Sequence, residues 1–122
     1  MKLLNRSSVT LLAKAPFAEW VMQLPLDDEQ MEAPVSADVL CQEGNVYLIS
    51  EVDSEADFQQ ALQRHWRQML ENELSAWDEF GDHWPDLSYE LLCDWFEIKH
   101  QIMTFDLAED TLLVASLEDL GE

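Results

Sequence analysis

The sequence predicts an α+β fold: a mixed or antiparallel four-stranded sheet with about three helices, in the order β-α-β-α-α-β-β. Three observations carry this. Short runs rich in β-branched residues alternate with period two, longer runs repeat apolar residues at helical spacing, and helices fall between the early strands while the order ends on two strands. That order favours helices mainly on one face of the sheet. A chain of 122 residues holds one hydrophobic core, so residues 1–122 are expected to form a single domain, with an acidic loop at about 26–45.

The first strand is read over Ser7–Lys14, where Val9, Leu11 and Ala13 alternate with Ser8, Thr10 and Lys14. Pro16 then opens a helix, with Glu19 in its first turn and Phe17, Trp20, Val21 and Leu24 on one face, and Pro25 stops it. From Leu26 to Asn45 periodicity is lost and Asp27, Asp28, Glu29, Glu32, Asp38 and Glu43 accumulate. A structureless stretch of that length is unusual in a small domain, so a helical turn around Ala37–Cys41 is expected within it.

Asn45–Val52, "NVYLISEV", reads as a second strand with a central place in the sheet. Ser54 then caps the strongest helix of the chain, with Glu55 and Asp57 in its first turn and Phe58, Ala61, Leu62, Trp66 and Met69 on one face. Each large apolar side chain of that stripe stabilises the fold by about 1.5 to 3 kcal/mol when fully buried. Asp86 or Ser88 caps a third helix, "DLSYELLCDWFEIK", whose apolar residues from Tyr89 to Ile98 nearly encircle it. All-round apolarity points to burial on several sides, against other elements or against a second subunit. Gln101–Leu107 and Thr111–Ser116 read as a hairpin joined by an acidic turn at Ala108–Asp110.

Charge restricts function. Six Lys plus Arg stand against 26 Asp plus Glu, a formal net charge of −20. Nucleic-acid affinity comes largely from basic residues displacing counterions, and anionic membranes attract basic segments, so direct nucleic-acid binding and membrane adhesion are disfavoured. The same field suits a basic protein partner, and it also serves solubility. Lys2, Arg6 and Lys14 precede the first acid, Glu19, but no signal-peptide pattern or membrane-length apolar run accompanies them, so a cytoplasmic location is the default expectation.

Catalytic signatures are missing from the sequence. Three glycines leave no phosphate-cradling loop or dinucleotide fingerprint, and no serine sits in a nucleophile elbow. No catalytic residue, resident metal or cofactor is therefore assigned. Cys41 and Cys93 lack the spacing of a metal or redox pair, and Cys93 is expected to be buried. His65 reads as a structural histidine of the long helix, and His100 as a residue of the helix-to-strand junction.

One stretch stands out: "AWDEFGDHWPD", Ala76–Asp86. It reads first as an interhelical connection, turned at Gly81, stopped at Pro85 and pinned to the core by Trp77, Phe80 and Trp84. In a second reading its tryptophans are exposed, and Trp77, Asp78, Glu79, Asp82, Trp84 and Asp86 form an aromatic face among carboxylates that suits an Arg- or Lys-rich partner. A third uses Asp82, His83 and Asp86 as ligands of a small metal-dependent enzyme, although the spacing matches no calcium or zinc pattern.

The segments "NRSSV", "KAPFAEW", "VYLI", and "WP" ahead of "CDWFEI" give the whole chain a resemblance to a family of small acidic bacterial proteins. That family has no established activity, so the resemblance implies no role for any residue. The expectation is a non-enzymatic interaction protein, of inhibitor, immunity or nucleic-acid-mimic type, that recognises a basic partner through its acidic surface. The alternatives are the metal-dependent enzyme and a structural homodimer that shares the helix around Trp95.

Overall fold

A computed structural model describes residues 1–25, 40–41 and 44–117. Along the chain, β1 (Lys2–Leu4) and β2 (Arg6–Ala13) are followed by α1 (Ala15–Gln23), β3 (Gly44–Ser50), α2 (Glu55–Ser75), α3 (Tyr89–Trp95), β4 (Phe96–Gln101) and β5 (Thr104–Asp106). The fold is α+β, as the periodicities predict. The five strands of the described residues divide into a three-stranded antiparallel sheet, ordered β3-β2-β4, and a two-stranded antiparallel ribbon of β1 and β5. The expected single sheet of four strands is thus corrected.

A bulge causes the division. Between the pairs Ser8↔Gln101 and Leu4↔Thr104, Asn5, Arg6 and Ser7 stand opposite only Ile102 and Met103. One extra residue on one strand breaks a ladder and bends it. Ser7 repairs the break: its buried hydroxyl donates to the Ile102 carbonyl at 2.8 Å and accepts from the Val52 N–H at 3.0 Å.

Register sorts the side chains of the three-stranded sheet onto two faces. Val9 lies between Tyr47 and His100, Leu11 between Asn45 and Ile98, and Ala13 beside Phe96. On this face Val9, Leu11, Ile49 and Phe96 are buried with Phe17, Ala18 and Val21 of α1, Phe58, Leu62, Met69, Leu70 and Leu74 of α2, and Leu92 of α3. The three helices of the described residues therefore serve one face. On the other, Val46 and Leu48 are 63% and 48% exposed. The central strand is β2; the strand around "VYLI" lies at an edge. β-branched composition marks a strand but does not set its place in a sheet covered on one side.

Several helix ends follow the expected chemistry. Ser54 Oγ accepts from the Asp57 N–H at 3.1 Å, and Ser88 Oγ from the Leu91 N–H at 3.0 Å, so Ser88 is the cap of α3 and Asp86 is not. Helix α1 has Pro16 in its opening residues and ends before Pro25; Glu19 lies beyond its first turn. A larger correction concerns α3, which stops at Trp95, where β4 begins at Phe96. The encircling apolar pattern was a short helix and a strand read with one period, and this removes the motive for a shared dimer helix.

The terminal hairpin is also corrected. β5 pairs with β1, and Thr111–Ser116 is irregular and exposed. Of the acidic loop, residues 26–39 and 42–43 lie outside the described residues, while Leu40 is buried in the core and Gly44 and Asn45 belong to β3.

Candidate functional site

The connection from α2 to α3 is held by a small set of bonds. After Ser75, the N–H groups of Trp77 and Asp78 both donate to the Leu74 carbonyl, at 3.1 and 2.9 Å. The Asp78 carboxylate accepts from the His83 N–H at 2.7 Å and lies 3.6 Å from His83 Nδ1, closing the loop on itself. Gly81 takes φ 75°, a left-handed conformation that glycine adopts without steric cost. The Trp84 indole lies over Gly81, packs on the core and donates from Nε1 to the Asp78 carbonyl at 3.1 Å. From α1, Trp20 Nε1 reaches the His83 carbonyl at 3.1 Å. Trp20 itself sits in an aromatic group with Phe17, Trp95 and, through Phe17, Phe96.

These bonds divide the stretch. Trp84 and Asp78 turn inward and shape the loop, whereas Trp77 is 41% and Phe80 83% exposed. Glu79, Asp82 and Asp86 are exposed beside them. Phe80, read from sequence as a core anchor, points to solvent instead. The loop thus packs Trp84 on the core as a staple and leaves Trp77 and Phe80 exposed.

No three His, Cys, Asp or Glu side chains among the described residues converge as metal ligands, so Asp82, His83 and Asp86 give no geometric support to a metal centre. His65 is half-buried on α2. His100 lies within β4 instead of at a junction; its ring centroid is 3.7 Å from that of Phe58, and its Nε2 is 3.3 Å from a Glu55 carboxylate oxygen. Cys41 and Cys93 are free thiols, each partly exposed. No helix among the described residues is long and apolar enough to cross a membrane.

A second feature adjoins Trp77. Glu73, only 7% exposed, occupies a core position on α2, one turn after Met69 and one turn before Trp77. Its Oε2 accepts from Asn45 Nδ2 at 2.8 Å and from the Tyr47 hydroxyl, while Asn72 Nδ2 donates to the Tyr47 oxygen at 2.9 Å. Burial pushes the Tyr47 phenol well above its ordinary range; Glu73 adds to the effect and the Asn72 hydrogen bond opposes it. Beside the carboxylate lies a cleft of about 440 Å³ walled by Ala13, Phe17, Leu40, Ala76 and Trp77, with Asn45 and Glu73 as polar groups among the described residues. Sequence reasoning passed over Glu73, although an acid at an apolar-stripe position was a visible signal.

At the N-terminus of α2, Asp53 and Asp57 share a hydrogen bond, which with their mutual repulsion holds the Asp53 carboxyl above the usual carboxylate range. A further cleft of about 430 Å³ runs beside them, lined by Leu3, Leu4, Ile102 and Met103.

No protein-family model matches the chain, and no curated protein or solved structure is significantly similar to it.

Proposed function

We propose that this protein is a non-enzymatic interaction protein whose acidic surface recognises a basic protein partner, with the connection from Trp77 to Asp86 at the centre of the contact. The observation that carries the reading is the display of Trp77 and Phe80 on a loop fixed by Asp78, Gly81 and Trp84, next to the exposed Glu79, Asp82 and Asp86. Aromatic side chains held outward at little entropic cost are effective anchors, and carboxylates around them attract lysine and arginine by ion pairing and steering. The wider charge supports the choice of partner: six basic residues stand against 26 acids, and Arg67–Glu71 and Lys99–Glu97 are the Lys or Arg ion pairs among the described residues.

The test is capture of proteins from a native lysate on wild type and on a Trp77→Ala/Phe80→Ser variant, each at low and at high salt. A basic protein retained by wild type, released by salt and lost with the variant is the expected result. Retention indifferent to both salt and the double substitution, or no retained basic protein at all, refutes the proposal.

A further inference from the structure

We propose that the cleft beside Glu73 is a receptor for one arginine side chain, donated by the basic partner. The inference rests on the function proposed above and names the chemistry of its anchor point.

A carboxylate removed from water is expensive unless it is paired or amply hydrogen-bonded. Glu73 is nearly fully buried, and among the described residues no Lys, Arg or His lies within ion-pair distance of it. The two hydrogen bonds that the described residues donate to it, from Asn45 and Tyr47, both fall on Oε2. Among the described residues Oε1 accepts none, and the Glu73 side chain lines the cleft. The network also fixes the carboxylate in place, so a ligand meets a preorganised acceptor.

The walls of the cleft match the rest of such a ligand. Ala13, Phe17, Leu40 and Ala76 are apolar and accommodate a methylene stem, and the indole of Trp77 stands at the same cleft, partly open to solvent. Arginine suits this set better than lysine. Its guanidinium is planar and weakly hydrated, it stacks on indole, and it keeps further N–H donors for a carboxylate. An aliphatic ligand would offer the Glu73 carboxylate no donor, and an anion would be repelled by Glu73 and by the field of a chain carrying −20. Trp77 belongs to both the cleft and the displayed loop, so one partner can seat an arginine at Glu73 while it covers Phe80.

Trp77 also provides the readout. Wild-type protein is titrated with N-acetyl-arginine amide while the Trp77 indole N–H resonance is followed, and the neutral isostere N-acetyl-citrulline amide is titrated in parallel. The expected result is a saturable shift with the arginine compound alone, weakened about tenfold or more in Glu73→Gln, where the charge-assisted hydrogen bond is lost. An equal response to citrulline, no saturable response, or an unchanged affinity in Glu73→Gln overturns the proposal. If Glu73→Gln does not fold, Trp77→Ala replaces it, with the Asn45 side-chain amide as the reporter and the same weakening expected. The two proposals fail separately. A salt-sensitive basic partner that ignores Glu73→Gln removes the arginine site and leaves the wider reading, whereas arginine-amide binding with no basic protein captured leaves the site and removes that reading.

Discussion

Replacing Tyr47 with Phe deletes a single oxygen, and with it one of the two donors that the described residues supply to a buried carboxylate. The Tyr47 hydroxyl and Asn45 Nδ2 both serve Glu73 Oε2, and Glu73 is 7% exposed. A hydrogen bond to a charged group contributes about 1.5 to 3 kcal/mol. Asn72, which donates to the same hydroxyl, is exposed and recovers a partner from water. The expected cost is therefore about 2 kcal/mol, or about 8 °C in Tm for a chain of this size. In a Glu73→Gln background the acceptor is neutral, and the cost of Tyr47→Phe falls to about 1 kcal/mol.

The pH dependence supplies a second reading of the same bond. Folding raises the Tyr47 phenol above its ordinary value of 10.0, burial foremost, so the folded chain keeps a proton that the unfolded chain has lost. Stability from this group is intact below about pH 10 and is lost as pH rises beyond it. Tyr89 is also pushed up, with burial as its largest cause, so wild type minus Tyr47→Phe isolates the contribution of Tyr47. Urea unfolding of the four proteins of the cycle at pH 7, and of the first pair up to pH 11, is the assay. A loss below about 0.5 kcal/mol, or the same loss with Glu and with Gln at position 73, refutes the account of Glu73 as a buried, hydrogen-bonded charge.

Three further outcomes are expected. Gly44→Ala places a Cβ 2.5 Å from Leu12 Cδ2 and 2.7 Å from the Leu11 carbonyl oxygen; the backbone contact cannot be relieved by a rotamer change, so thermal unfolding should register a loss of about 1 to 3 kcal/mol. Trp77→Phe should remove the red-shifted, acrylamide-quenchable component of the emission, whereas Trp84→Phe should leave it in place and lower stability by about 1 to 2 kcal/mol, because Trp84 is packed and hydrogen-bonded. Asp53→Asn should raise Tm at pH 7 and lose that advantage in acid, since a carboxyl held above its usual range opposes folding only once it ionises.

Sequence periodicity reached furthest where one local signal agreed with another. For α2, a serine cap and a repeating apolar face coincided, and both are present. At Trp95 and Phe96 the helical and strand periods meet without a glycine or proline between them, so the boundary was invisible and a helix seemed to run on. β1 is three residues long, too short to show alternation, and its partner is fixed by the bulge at Asn5–Ser7, which exists only once β2 and β4 are paired. In the loop, tryptophan spacing marked Trp77 and Trp84 equally. Their opposite fates depend on the left-handed turn at Gly81 and on Asp78 bonding back to His83, and these are three-dimensional facts.

The sheet order also dictates a sequence of events in time. Central β2 takes β3 on one side, but its other neighbour is β4, in the register Ser8↔Gln101. During synthesis β2 therefore keeps an open edge until α2, α3 and β4 have all left the ribosome, and closing that long loop carries an entropic cost that the finished packing must offset. Until then the unpaired edge beside Val9 and Leu11 is open to pairing with another chain. Ser7, bonded to both Val52 and Ile102, is the latch that closes once β4 has paired.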